Sequence, residues 1–224
     1  MKLIRLSGHS GAGKSRLLTS LKKKDLEFKK ALLYTSRERR PGEIDGIDYF
    51  FRSKSDINHL PQDRFLKGHV REMLQAVDLV QLKNDIRNSY LVIVEIYYAF
   101  WLDLQKVLLH HFHGDLKIAS VFLTAINPIV LKNKSLNESS KIIRIEVEKI
   151  LQWRNIDTQD KILLKSKSAI QEILTAIQSH GMYDKIIFSS PEGPDGKDEW
   201  TLEDYPIGSA KRTLNEFMSL IEDL

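Results

Sequence analysis

Lys14 and Ser15 end the run Gly8-His9-Ser10-Gly11-Ala12-Gly13-Lys14-Ser15, whose residue types and spacing suit a phosphate chain. The run satisfies G-x-x-x-x-G-K-[ST]. Glycines let the backbone curl so that several N–H groups face one concavity, and a helix N-terminus behind them adds positive potential. In such a cradle Lys14 reaches the β- and γ-phosphates of ATP, and the Ser15 hydroxyl ligates Mg2+. Gly8, Ser10, Gly11, Ala12, Gly13 and Arg16 complete the candidate donor site. The flanks agree. Lys2 to Ser7 is a short, largely apolar run that suits a buried strand, and Arg16 to Leu21 has apolar residues at helical spacing. A chance glycine turn would require neither flank.

A second cluster follows the next apolar run, Ala31-Leu32-Leu33-Tyr34, which reads as a short buried strand. It is Thr35-Ser36-Arg37-Glu38-Arg39-Arg40-Pro41-Gly42-Glu43-Ile44-Asp45-Gly46-Ile47-Asp48-Tyr49-Phe50-Phe51. Planar guanidinium forks bind phosphate in bidentate fashion, and a tyrosine hydroxyl adds a neutral hydrogen bond. The stretch resembles the guanylate kinase family: threonine-arginine, a second arginine before Pro/Ala-Gly-Glu, then Gly-x-Asp-Tyr-x-Phe. The resemblance places Arg37, Arg40, Glu43 and Tyr49 at the phosphate of an acceptor monophosphate. Arg39 stands where the family usually has proline and is read as surface.

Beyond Phe51 the resemblance breaks. The position of the family's guanine-reading glutamate falls at or near Lys67, and its Tyr-Tyr-Gly-Thr/Ser gives way to a stretch around Gln75-Ala76-Val77-Asp78. Glu72 or Asp78 is the nearest substitute carboxylate. The apolar run Tyr90 to Ile96 reads as a central buried strand, which the family ends in Asp-x-Asp; here Glu95 and Tyr97 take those places. An acid at the carboxyl end of a parallel strand suits a metal-organising role, and burying it unpaired would be costly. Glu95 is therefore placed with Ser15 at the metal, and Tyr97 at the acceptor. A site that hydrogen-bonds a base edge discriminates strongly, and the usual acids for reading guanine are replaced by Lys67 and Tyr97.

The resemblance returns at Leu151 to Thr158, where Arg154 matches a lid arginine that meets the transferring phosphoryl group; Lys165 falls at a second such position. Lid cations neutralise charge on phosphoryl oxygens while closure excludes water. His110, His111 and His113 lack the spacing of a metal site and read as helix-end surface residues. The triple lysine at 22–24 and the pair Lys29-Lys30 read as a solvated helix end. Segments 129–148 and 191–207 are longer than the family needs, and no role follows for them from the sequence.

Strands alternating with helices point to a P-loop NTPase-type α/β fold, a parallel sheet with helices on both faces. The 224 residues are expected to form one domain. Its core is 1–36, 86–128 and 180–224, its small mixed acceptor-binding sub-domain 37–85, and its helical lid region 129–165. Cysteine is absent, which excludes disulfides and thiolate metal sites. A net charge of +4 is too mild to imply nucleic-acid binding, and no apolar run spans a bilayer. Without a signal pattern the expected location is the cytoplasm. The expected activity is transfer of the γ-phosphoryl group of ATP, with Mg2+, to a nucleoside monophosphate such as GMP. The alternatives are a kinase for a non-nucleotide phosphorylated small molecule such as a ribose phosphate, and a non-catalytic guanylate-kinase-like binding module.

Overall fold

A computed structural model describes residues 1–70, 72–155, 157–179, 181–189, 200, 206 and 208–224. Strand β1 (Lys2–Ser7) runs into the glycine loop, and helix α1 (Lys14–Lys23) leaves it. Leu3, Ile4 and Leu6 of β1 are fully buried, as expected for a strand covered on both faces. Lys22, Lys23 and Lys24 form the exposed end of α1, where cations suit the helix dipole.

The strand expected at Ala31–Tyr34 is divided in two. β2 (Lys29–Lys30) and β3 (Tyr34–Thr35) belong to different sheets, and Ala31 to Leu33 only connect them. The apolar run marks burial there rather than strand, because Ala31 and Leu33 enter the core of the first unit. β4 (Phe50–Phe51), helix α2 (Lys54–His59), the hairpin β5 (Phe65–Val70) and β6 (Met73–Asp78), and helix α3 (Leu79–Asn88) follow. Then come β7 (Val92–Glu95) and helix α4 (Tyr98–Phe112). β8 (Lys117–Thr124) is followed by a short 3₁₀ turn (Pro128–Leu131), helices α5 (Leu136–Trp153) and α6 (Gln159–Gln178), strand β9 (Lys185–Phe188) and helix α7 (Gly208–Asp223).

Among the described residues the larger sheet has five strands in the order β2-β7-β1-β8-β9, with β2–β7 and β8–β9 parallel. The smaller has four, β4-β3-β6-β5; β3 and β4 run parallel, and the other neighbours antiparallel. The chain divides into two compact units, Met1–Arg5 with Glu27–Ile118, and Leu6–Leu26 with Ala119–Leu224.

In the first unit, alternation along the hairpin sorts its side chains onto two faces. Phe65, Leu74 and Ala76 pack with Ile57 of α2. Leu66, Val70, Met73 and Val77 join the cluster that holds Phe100, Trp101 and Leu104 of α4. Gly68 lies on that second face. A Cβ there would stand 2.5 Å from a Phe100 ring carbon, so only glycine lets α4 approach the strand. Ser53 and Asp56 form a capping box on α2, and Asp78 caps α3 by accepting from the N–H groups of Val80 and Gln81.

In the second unit, Ile143, Val147 and Leu151 of α5 meet Ile162, Ala169 and Ile173 of α6. α5 starts at Leu136, capped by Ser135 with Glu138 returning the bond. α6 runs to Gln178, so the expected lid boundary at 165 falls inside a continuous helix. The long segment 191–207 lies outside the described residues, apart from Trp200 and Pro206. Among the described residues no helix is long and apolar enough to cross a membrane.

Candidate active site

The phosphate loop is shaped by its glycines. Gly8, Gly11 and Gly13 have φ of 151°, 89° and 90°. At Gly8 a Cβ would meet the Leu123 carbonyl oxygen at 2.3 Å, so the backbone can lie against β8 only without a side chain. Gly13, left-handed, starts α1, and Ala12 donates its N–H to the His9 carbonyl at 3.2 Å. Lys14 donates to the carbonyls of Gly8 at 2.6 Å and His9 at 3.2 Å, which keeps its ammonium at the loop. Ser15 is exposed in the first turn of α1, a turn with no acidic residue to repel an anion. Arg16 lies over the Trp153 ring at 5.5 Å.

His9 is a loop residue that the sequence pattern passed over, since the motif leaves its position open. It is fully buried. Its Nδ1 lies 2.8 Å from the Ser10 carbonyl, and its Nε2 accepts the Ala125 N–H at 3.0 Å. Those partners assign a neutral ring with the proton on Nδ1. The imidazole thereby fastens the loop to the end of β8.

In the other unit, Arg37 grips Glu43 with both arms, at 2.9 and 2.8 Å, and donates to the Glu38 carbonyl at 2.7 Å. Glu43 also accepts the Arg40 N–H at 2.8 Å. The Arg40 side chain is 42% exposed, with its nearest nitrogen 4.0 Å from Glu43, so the fork faces solvent while its backbone is fixed. Thr35 holds the turn by accepting the Arg37 N–H at 3.3 Å. Arg37 lies over the rings of Tyr49 and Phe51, 5.4 Å from each. Burial, with the Glu95 charge adding to it, pushes the Tyr49 phenol up, so it stays a neutral hydroxyl. The structure thus brings together Arg37, Arg40, Glu43 and Tyr49.

Burial acts to raise the Glu43 pKa, yet the Arg37 bonds, the Arg40 N–H and both guanidinium charges outweigh it and hold the carboxyl below its usual value. A carboxylate depressed in the folded state adds stability above its unfolded pKa and loses it as pH falls through the folded one. Glu43→Gln should therefore be less stable than the parent at pH 7 and lose less stability on acidification to pH 3. Urea melts at the two values check this, and parallel losses in both proteins would refute it.

Glu95 is not solitary. Its carboxylate lies 3.7 Å from Lys30, whose Nζ also donates to the Asp48 carbonyl at 3.3 Å and sits 5.3 Å from the Tyr49 ring. Lys30 was expected on a solvated helix end. The strand pair Lys30↔Ile93 instead carries it beside Glu95, with its side chain 20% exposed. Tyr97 precedes α4 and packs with Tyr49 against the apolar cluster of the first unit. Lys67 lies on the α2 side of the small sheet, donating to the Asn58 carbonyl at 2.7 Å. Glu72 is exposed between β5 and β6, two residues before Leu74, which exchanges hydrogen bonds with Ser36 beside Arg37. Asp78 is committed elsewhere: besides capping α3 it accepts from Arg64 Nε at 3.0 Å, and burial is outweighed by these bonds so that its carboxyl titrates low. It is not the substitute base-reading acid.

Arg154 stands half-buried at the C-terminal cap of α5. Lys165, on α6, forms an ion pair with Asp157. His110, His111 and His113 end α4, and His111 Nε2 meets Arg87 at 2.6 Å. Among the described residues no group of three or more His, Cys, Asp or Glu could hold a metal.

Comparison with known proteins decides the family. The family model "Guanylate kinase" matches residues 1–86. The chain is 31% identical over 175 residues to a guanylate kinase of Blochmanniella floridana, covering 75% of this chain and 71% of that one. The chain belongs to the guanylate kinase family. A guanylate kinase of Oceanobacillus iheyensis is 27% identical over 190 residues, 79% of this chain and 86% of that one. The crystal structure of guanylate kinase from Anaplasma phagocytophilum shares the fold, with a TM-score of 0.57 at 15% identity over 99% of this chain and 84% of that one. As a member of the guanylate kinase family the chain is an ATP-dependent nucleoside monophosphate kinase.

Proposed function

We propose that the acceptor is GMP and that the residues gathered in each unit have the roles their chemistry suggests. An oxygen of the acceptor phosphate forms a bond to the γ-phosphorus of ATP, the bond from that phosphorus to the β–γ bridging oxygen breaks, and ADP and GDP result. The attacking oxygen is already anionic, so no general base is needed; alignment and charge neutralisation carry the rate. Lys14 and the N–H groups around Gly8, Ser10, Gly11, Ala12 and Gly13 hold the donor phosphates. Arg37, Arg40 and the neutral Tyr49 hydroxyl hold the acceptor phosphate, with Glu43 keeping Arg37 in place. Arg154 meets the transferred group, and Lys165 is the second lid cation.

Oxygen donors suit Mg2+, which keeps several waters and draws further ligands from substrate phosphates. The Ser15 hydroxyl beside Lys14 fits that requirement. When bound, the ion would neutralise charge on the phosphate oxygens. Glu95, paired with Lys30, is the acid assigned to its water shell. Tyr97 and Glu72 complete the acceptor side, Tyr97 through the apolar wall it shares with Tyr49.

The observation that carries the acceptor assignment is the 31% identity to a protein named guanylate kinase over three quarters of the chain. A sugar-phosphate kinase and a non-catalytic module have no such support, and the intact Lys14-Ser15 end of the loop speaks against the module. The test is ADP release with ATP and a panel of GMP, AMP, CMP, UMP and ribose 5-phosphate. GMP should give a kcat/KM at least about 100-fold above the others, the discrimination expected of a base-reading site. Base-indifferent turnover would sink the assignment.

A further inference from the structure

Gln75 carries a side-chain oxygen, Oε1, that is buried and has no hydrogen-bond partner. On β6 it stands between Met73 and Val77, both part of the apolar packing against α4. Register sets it opposite Thr35 of β3 on one side and Gly68 of β5 on the other. Residues directly opposite in an antiparallel ladder share a face. Gly68 has no side chain to offer, and Phe100 fills the space above it. Thr35 is buried, and its hydroxyl, which accepts the Arg37 N–H, makes no bond to Gln75 Oε1.

A leucine would suit this face better than glutamine. A buried carbonyl oxygen without a donor is costly, and such atoms in a native protein point to a role that folding alone does not supply. The ligand that relieves it must donate a proton. A phosphate offers only acceptors at neutral pH, so Oε1 does not serve the phosphate. Arg37 lies two residues beyond Thr35, about 7 Å of extended chain. That reach is comparable to the separation between phosphate and base in a nucleoside monophosphate.

We propose that Gln75 is a specificity-determining residue whose Oε1 accepts a hydrogen bond from an N–H of the acceptor's nucleobase. The assignment rests on reading the Arg37 turn as the acceptor-phosphate site. It names the part of the substrate that this chain reads after Lys67 has turned to the α2 face and Asp78 has been taken by α3. Guanine, with a ring N–H and an exocyclic amino group, supplies the donor.

The test compares GMP with purine riboside 5′-monophosphate, which has the same ribose and phosphate but no N–H on its base. Gln75→Leu should lower kcat/KM for GMP by about 10- to 100-fold, leave purine riboside monophosphate and the KM for ATP unchanged, and so remove the preference. Gln75→Glu, which keeps an acceptor oxygen, should retain it. The leucine variant should melt at or above the parent's temperature, because it removes a buried polar atom that has no partner in the fold. Equal losses on the two nucleotides, an unchanged ratio, or a leucine variant that melts well below the parent would each overturn the assignment. A ribose hydroxyl as the true donor would appear as equal losses. If the parent phosphorylates no nucleoside monophosphate, the proposed function fails first; if it phosphorylates GMP and Gln75→Leu keeps the parental ratio, only this assignment fails.

Discussion

Lys14→Ala is expected to reduce phosphoryl transfer by about 10²- to 10³-fold, the usual loss when a positioned charge-stabilising donor is removed. The melting temperature should stay near the parent's. Two features separate function from fold here. The loop takes its shape from the left-handed glycines and from the His9 bonds to Ser10 and Ala125, none of which needs the Lys14 side chain. Alanine at the first position of α1 is also a good helix former. What the variant loses is an ammonium held by the Gly8 and His9 carbonyls, where it is ready to meet phosphate oxygens. A coupled assay of ADP release with a thermal melt reads both quantities. Activity within a few-fold of the parent would take the loop out of the mechanism.

Arg40→Ala is expected to raise the KM for the acceptor monophosphate by about 10- to 100-fold, the range of a lost charge-assisted hydrogen bond, and to leave the KM for ATP unchanged. Its side chain is 42% exposed and lies 4.0 Å from Glu43. Its N–H, which fixes the turn through Glu43, survives the substitution. Arg37→Ala should behave differently. It removes both bonds to a partly buried carboxylate and exposes the rings of Tyr49 and Phe51, so acceptor use and stability should fall together. Initial rates with each substrate varied separately would show the contrast. Equal effects of Arg40→Ala on both substrates would mean that the two sites have been wrongly distinguished.

The glycine loop and the arginine turn are legible in the sequence because both are written in short, contiguous stretches. In Gly8 to Ser15 the glycine spacing dictates a left-handed backbone, and the structure shows it at Gly11 and Gly13. In Arg37 to Tyr49 a bidentate pair six residues apart closes a turn that a Pro41-Gly42 step already favours. Strand β7 falls within the apolar run read from Tyr90 to Ile96, since burial on both faces leaves an unbroken signal. The misses are of another kind. Lys30 looks like one more basic residue after α1, and only the parallel pairing of β2 with β7 sets it beside Glu95. Asp78 reads as an unassigned acid until α3 is seen to begin there.

The residues at 8–15 and 35–51, with the alternation of strands and helices, determined by themselves a glycine loop and an arginine turn of the kind that suits phosphate, and an α/β fold. Local backbone freedom and side-chain charge suffice for that. Tertiary structure decided where the other polar side chains lie. Strand register sends Lys67 to the α2 side and Gln75 to the side of Thr35, and it brings Lys30 to Glu95. One residue of slip in a strand exchanges its faces, and pairing between distant segments fixes that slip.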